Sequence, residues 1–144
     1  MFVGEFEHTL DNKGRLTIPS KFREELAGGL VVTRGFEKGS LLVYPRAEWE
    51  VLAEKIVSLP TTNRTARMFA RFMFSQAADV IPDRQGRVLI PQNLRNYAGI
   101  ETEAFVTGMY NRVEIWNPDK WRGVEGEFEE NIDDYAEQFE ALGI

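Results

Sequence analysis

"DNKGRLTIPSKFREEL", residues 11–26, is written a second time as "DRQGRVLIPQNLRNYA", residues 83–98. At an offset of seventy-two positions, Asp11, Gly14, Arg15, Ile18, Pro19 and Arg23 recur as Asp83, Gly86, Arg87, Ile90, Pro91 and Arg95. Apolar positions keep their character, with Val88 in the place of Leu16 and Leu94 in that of Phe22. The same offset returns later: Ile115 follows Val43, Trp116 follows Tyr44 and Trp121 follows Trp49. Turn chemistry alone would not restore one offset after an intervening helix and hairpin. The chain is an internal duplication.

Around the repeat, alternation and punctuation predict the elements. "GEFEHTL" alternates apolar and polar residues like a half-buried strand, "DNKG" is a tight turn, and "RLTIP" is the returning strand, ended by Pro19. Ser20 is placed to cap a short helix, "KFREELA", closing at Gly28 and Gly29. "LVVTRGF" and "SLLVYP" form a second hairpin around "EKG", and "RAEWEVLAEKIVSL" carries Trp49, Leu52, Ile56 and Leu59 at helical spacing. The second half repeats the order through "QAADVIP", "RVLIP", a short helix ending at Gly99, "EAFVTGMY", "RVEIWN" and a helix starting "PDKWRG". Four segments follow: a first repeat over 1–58, a linking basic helix over 59–76, a second repeat over 77–122 and an acidic segment over 123–144. In the linker, Thr61 or Thr62 is placed to cap a helix that turns Phe69, Phe72 and Met73 to a core and Arg64, Arg67 and Arg71 to one side.

Composition narrows the chemistry. A chain of 144 residues with 43% hydrophobic residues fits one ordinary domain or two small halves sharing a core. It has no cysteine, which removes disulfides, thiolate zinc sites and a cysteine nucleophile. A single histidine, His8, is too few for a His-rich metal site. No metal, cofactor or small-molecule substrate is expected. No apolar run reaches the length of about 20 residues that spans a membrane, and "MFVGEFEHTL" is no signal peptide, so a cytoplasmic location is expected. The net charge of −6 is uneven: residues 123–144 hold eight acids and no base, which leaves residues 1–122 at +2. Within that acidic segment Phe128, Ile132, Tyr135, Phe139 and Leu142 lie near a 3.6-residue period, as in a helix docking one face.

The repeated D-x-x-G-R turn carries the candidate site. Gly14 and Gly86 supply the positive φ that a tight turn needs. Asp11 and Asp83 can accept backbone N–H groups across the turn or hold the guanidinium of Arg15 or Arg87. Such a pair could simply pin the hairpin. Pinning does not account for the extra base in each turn, Lys13 in one and Arg84 in the other. Lys13, Arg15, Arg84 and Arg87 together place cationic donors on exposed hairpins, and arginine forks suit phosphate oxygens and the O6/N7 edge of guanine.

Two D-x-x-G-R turns, each followed by an [LV]-x-I-P strand end, together with "YPRAEW" and "IWNPDKW", resemble the MraZ family, from Met1 to about Trp121. The resemblance implies an α+β fold of tandem duplicated AbrB-like halves, similar to AbrB, MazE and SpoVT, in which swapped hairpins build a β-barrel and helices flank it. It implies a sequence-specific, double-stranded-DNA-binding transcriptional regulator of nucleoid-associated location. Its DNA would be direct repeats in the promoter of the division and cell-wall gene cluster that contains its own gene. It also implies a cyclic homo-oligomer, a ring of eight or more subunits. The motif positions Asp11, Gly14, Arg15, Asp83, Gly86 and Arg87 match without departure.

Two other classes can be weighed. An aspartic-protease-like dyad needs two carboxylates sharing a proton, normally with a hydroxyl residue after each Asp. Here Asn12 and Arg84 follow, and an arginine four positions on keeps each carboxylate ionised. No enzyme is expected. An antitoxin-like or assembly module, whose basic turns contact a protein partner, is the alternative to DNA binding.

Overall fold

The duplication in the sequence becomes an exchange of strands in the structure. The computed structural model describes residues 1–144, a mixed α+β chain with six α-helices and antiparallel strand pairing. In chain order the first half contributes β1 (Glu5–Thr9), β2 (Arg15–Thr17), α1 (Arg23–Leu26), β3 (Leu30–Arg34), β4 (Ser40–Pro45) and α2 (Arg46–Val57). After α3 (Arg64–Phe74), the second half contributes β5 (Ala78–Val80), β6 (Arg87–Leu89), α4 (Gln92–Ala98), β7 (Glu103–Gly108), β8 (Val113–Trp116) and α5 (Pro118–Glu130), and α6 (Ile132–Ala141) follows. α2 and α5 begin at the same offset as the motif. One sheet has the order β1-β7-β8-β4-β3-β5, and a separate two-stranded ribbon pairs β2 with β6. Written by repeat, the sheet order is palindromic, so a pseudo-two-fold axis runs through the β4–β8 pair.

β1 therefore does not fold back on β2 as a hairpin. It pairs with β7 of the other half, from Glu5 opposite Thr107 to Thr9 opposite Glu103, while β5 pairs with β3. Between β1 and β2 only the turn itself closes, through a Leu10–Leu16 bridge. Packing explains the divergence. Phe22, just after β2, meets Phe2 and Phe6 edge to face at 5.2 and 5.3 Å, which draws the β1 side of the chain over the core and away from the ribbon. The later hairpins form as the alternation predicts, β3 with β4 and β7 with β8.

One core of 19 buried residues takes Leu16, Phe22, Leu30 and Val43 from the first half and Val88, Leu94, Val106 and Ile115 from the second. Burying side chains of this size is worth about 1.5–3 kcal/mol each. Each half thus contributes only part of a shared interior. A smaller cluster, Leu42, Tyr44, Ile56 and Met73 with Trp49, Phe69 and Phe72 against it, seats α2 and α3. Arg34 fastens α3 further, donating to the Phe72 carbonyl at 2.9 Å and lying 4.5 Å over the Phe72 ring.

Three local expectations change. Ser20 makes no side-chain cap; it opens a single 3-10 turn, Ser20–Phe22, that Pro19 precedes and that runs into the four-residue α1. The cap of α3 is Asn63, whose side chain accepts from the Ala66 N–H at 3.0 Å, and neither Thr61 nor Thr62 fills that place. The acidic segment is helical but does not dock its apolar face. α5 runs unbroken through residue 123, with Arg122 over the Phe105 ring and the Trp121 indole donating to Glu5. Beyond it the chain bends at Asn131. Phe128 then meets Tyr135 edge to face and Tyr135 stacks on Phe139, with Phe128 and Phe139 still 44% and 43% exposed. No ion pair joins the acids of residues 123–144 to Arg64, Arg67 or Arg71. No helix is long and apolar enough to cross a membrane.

Candidate nucleic-acid interface

Each turn is closed by one aspartate in the same way. Asp11 Oδ1 accepts from the backbone N–H groups of Lys13 and Arg15 at 3.0 and 2.9 Å, and Oδ2 accepts from Arg15 Nε at 2.7 Å. Asp83 repeats the pattern with Gln85 N, Arg87 N and Arg87 Nε at 2.9, 2.9 and 2.8 Å. Gly14 and Gly86 take φ of +82° and +74°, a region that costs a residue with a Cβ. These bonds favour the ionised carboxylate. The Asp11 pKa falls to about 2, chiefly through the Arg15 backbone N–H, and that of Asp83 falls for the same leading reason, its bond from Arg87 N.

The two turns are brought together by the ribbon. β2 and β6 run antiparallel, with Arg15 opposite Leu89, Leu16 opposite Val88 and Thr17 opposite Arg87. Side chains alternate faces along a strand, so Leu16 and Val88 enter the core while Arg15, Thr17, Arg87 and Leu89 share the outward face. Arg15 and Arg87 are diagonal neighbours there, a relation that sets them roughly 7–8 Å apart along the backbone. Arg87 Nη1 accordingly comes to 4.0 Å from Asp11 of the other half. Both arginine side chains are about 30% accessible. Their Nε atoms hold the turns, and neither makes a hydrogen bond through Nη. Lys13 and Arg84 lie exposed at the tips. Pinning and presentation are thus properties of the same side chain.

The halves interlock where the turns meet the ribbon. Ile18 N–H donates to the Gly86 carbonyl at 2.8 Å, and Ile90 N–H to the Gly14 carbonyl at 2.9 Å. Sequence reasoning missed the two arginines that cross this junction. Arg23 Nε donates to the Ile18 carbonyl at 3.1 Å and lies against Gly86; Arg95 Nε donates to the Ile90 carbonyl at 2.8 Å and lies against Gly14. A Cβ on Gly86 would fall 2.5 Å from Arg23 Nε, and one on Gly14 would fall 2.6 Å from Arg95 Cζ. The recurrence of arginine eight positions after each motif arginine was the available signal. Proximity in sequence points Arg23 to the first turn, whereas strand exchange delivers it to the second.

Fold and site together define a class: an intramolecular pair of α+β repeats that exchange strands and present one two-stranded ribbon with arginines on its outward face. The family described as "MraZ protein, putative antitoxin-like" matches the chain twice, over residues 1–72 and 73–141, so the second match begins one repeat offset after the first and takes in most of the acidic segment. Proteins named "Transcriptional regulator MraZ" from Pediococcus pentosaceus and Herpetosiphon aurantiacus are each 49% identical over 144 residues, and one from Clostridium acetobutylicum is 50% identical over 145, with complete coverage of both chains in all three. The chain belongs to the MraZ family.

Proposed function

We propose that this chain is a transcriptional regulator that binds double-stranded DNA sequence-specifically through the β2–β6 ribbon. The observation that carries the reading is the diagonal Arg15–Arg87 pair on the ribbon's outward face, with Nη groups that make no hydrogen bond within the protein. The major groove of DNA admits a two-stranded ribbon, and an arginine fork matches guanine O6/N7. Lys13 and Arg84, at the two tips, are placed for the flanking phosphates. Asp11, Gly14, Asp83 and Gly86 set the shape that aims these cations. The names of the relatives support regulation of transcription.

The site is direct repeats in the promoter of the division and cell-wall gene cluster that includes its own gene, bound in the cytoplasm at the nucleoid. The protein acts there as a ring-shaped homo-oligomer, its halves being a single-chain form of the swapped-hairpin barrel. Cyclic symmetry presents each protomer to DNA in the same orientation, which suits direct repeats rather than palindromes. Linking protomers makes later contacts intramolecular and can raise affinity by about 10²–10⁴. Titration of the protein's own upstream DNA against a scrambled duplex, with the mass in solution measured by light scattering, tests both parts. Specific binding by a closed assembly is expected; equal affinity for the scrambled duplex would overturn the sequence-specific reading.

A second reading follows from the antitoxin-like wording of the family description: the basic turns would contact a protein. It predicts no preference for the upstream duplex in the same titration.

A further inference from the structure

Arg23 projects onto the second turn from the first half and leaves its guanidinium largely uncommitted. Its one hydrogen bond is the Nε bond to Ile18, and it has no ion-pair partner. Beside it an open groove of about 320 Å³ is lined by Ile18, Arg23, Ala27, Pro82, Asp83, Arg84 and Gly86. Arg84, exposed, makes no hydrogen bond either. The one acid in the groove does not offset them. Asp83 already accepts from Gln85 N, Arg87 N and Arg87 Nε, so its charge is answered from the ribbon side. Two guanidinium groups thus flank one open notch whose single carboxylate, Asp83, is already bonded on the ribbon side. Guanidinium forks fit tetrahedral oxyanions through paired N–H donors. Gly86 is what lets the fork lie flat, since any side chain there would take its space.

We propose that Arg23 and Arg84 form a phosphodiester-binding notch built from both halves of the chain, which grips the DNA backbone beside the ribbon. This rests on the DNA-binding reading above and extends it to a residue outside the repeated turns. The notch binds charge, not sequence: a phosphate contact fixes register and carries no base information. The strand exchange gives it a second property. Because Arg23 comes from one half and Arg84 from the other, the notch exists only when the two halves are correctly interlocked.

The test is the salt dependence of binding by full-length Arg23→Gln and Arg23→Lys, measured by fluorescence anisotropy on the upstream duplex and on an unrelated duplex. Each phosphate neutralised contributes about 0.9 to the slope of log K against log salt. For Arg23→Gln the slope falls by up to about 0.9 per engaged protomer, equally on both duplexes, and Arg23→Lys restores most of it. Thermal melting is followed alongside. If Arg23→Gln loses the fold, Arg84→Gln, a change at an exposed position, reads the same notch and shows the same fall. An unchanged slope in folded variants, with only the melting temperature lowered, would overturn the proposal and leave Arg23 as a clamp between halves. A loss confined to the upstream duplex would overturn it too, by making Arg23 a base reader. Failure of the unmodified protein to bind either duplex would instead strike at the DNA-binding reading itself.

Discussion

Arg15 commits Nε to Asp11 and leaves Nη free, and that division predicts how its loss is felt. An ion pair this accessible contributes about 0–1 kcal/mol to stability, whereas a bidentate base contact is worth about 1–3 kcal/mol of discrimination. Arg15→Ala is therefore expected to weaken specific DNA binding by roughly ten- to a hundredfold while fold and assembly persist. Anisotropy and light scattering check both sides, and a variant that falls apart would make Arg15 chiefly a clamp. Asp11 makes a second forecast. Its folded pKa, about 2, lies below the ordinary carboxylate value of 3.8. Its contribution to stability is therefore complete above pH 4 and lost as pH falls toward 2. Because the leading cause is the Arg15 backbone N–H rather than the side chain, Arg15→Ala should leave the Asp11 midpoint, followed by NMR, still clearly below 3.8. A return to 3.8 would reverse the order of causes. These residues were legible in the sequence because a four-residue turn is local chemistry. Arg23 and Arg95 were not, since their neighbours are set by residues some sixty to eighty positions away.

For the elements, alternation located the strands and the repeat located the turns, but neither could say which strand pairs with which. β1 and β2 look like a hairpin because they are adjacent and joined by hairpin residues; only the shared core sends β1 to β7. This matters for the relative weight of the two turns. The sequence places Lys21 and Arg23 beside the first turn, which suggests that "DNKGR" dominates binding. The structure sets Arg23 against Gly86 of the second turn and gives the two aspartate turns matching bonds. Arg87→Ala is accordingly expected to cost within about threefold of Arg15→Ala in the same titration. A tenfold difference would show that one end of the ribbon faces something other than DNA. In α5 and α6 the helical period was legible, but a period cannot reveal whether its face finds a partner. Replacing Glu125, Glu127, Glu129 and Glu130 by Gln retains that face and removes four negative charges. Tighter DNA binding at low salt, converging with the unmodified protein at high salt, is expected from weakened long-range repulsion. Equal binding at every salt concentration would place these acids beyond the reach of the DNA.

For the whole molecule, duplication was legible in the residues themselves, whereas exchange was implied only by the family resemblance, and exchange governs what the halves can do apart. A chain ending at residue 76 retains β1, β3 and β2 but has lost β7, β5 and β6, their partners. Such a fragment is expected to be unfolded as a monomer and to gain structure only by pairing with another copy or with the complementary fragment. Circular dichroism across a hundredfold range of concentration would reveal this, and concentration-independent native signal from a monomer would refute it.

The distance in sequence between exchanged strands also sets a clock during synthesis. β1 leaves the ribosome nearly a hundred residues ahead of β7, which at about 5–20 residues per second is a wait of roughly 5–20 s. Throughout that interval the first half offers unpaired strand edges to whatever else is near. On a polysome the nearest candidates are identical nascent chains, and an edge meant for residues 103–108 of its own chain could be taken by those of a neighbour. The tether between halves answers this hazard by keeping the correct partner at high local concentration once it emerges.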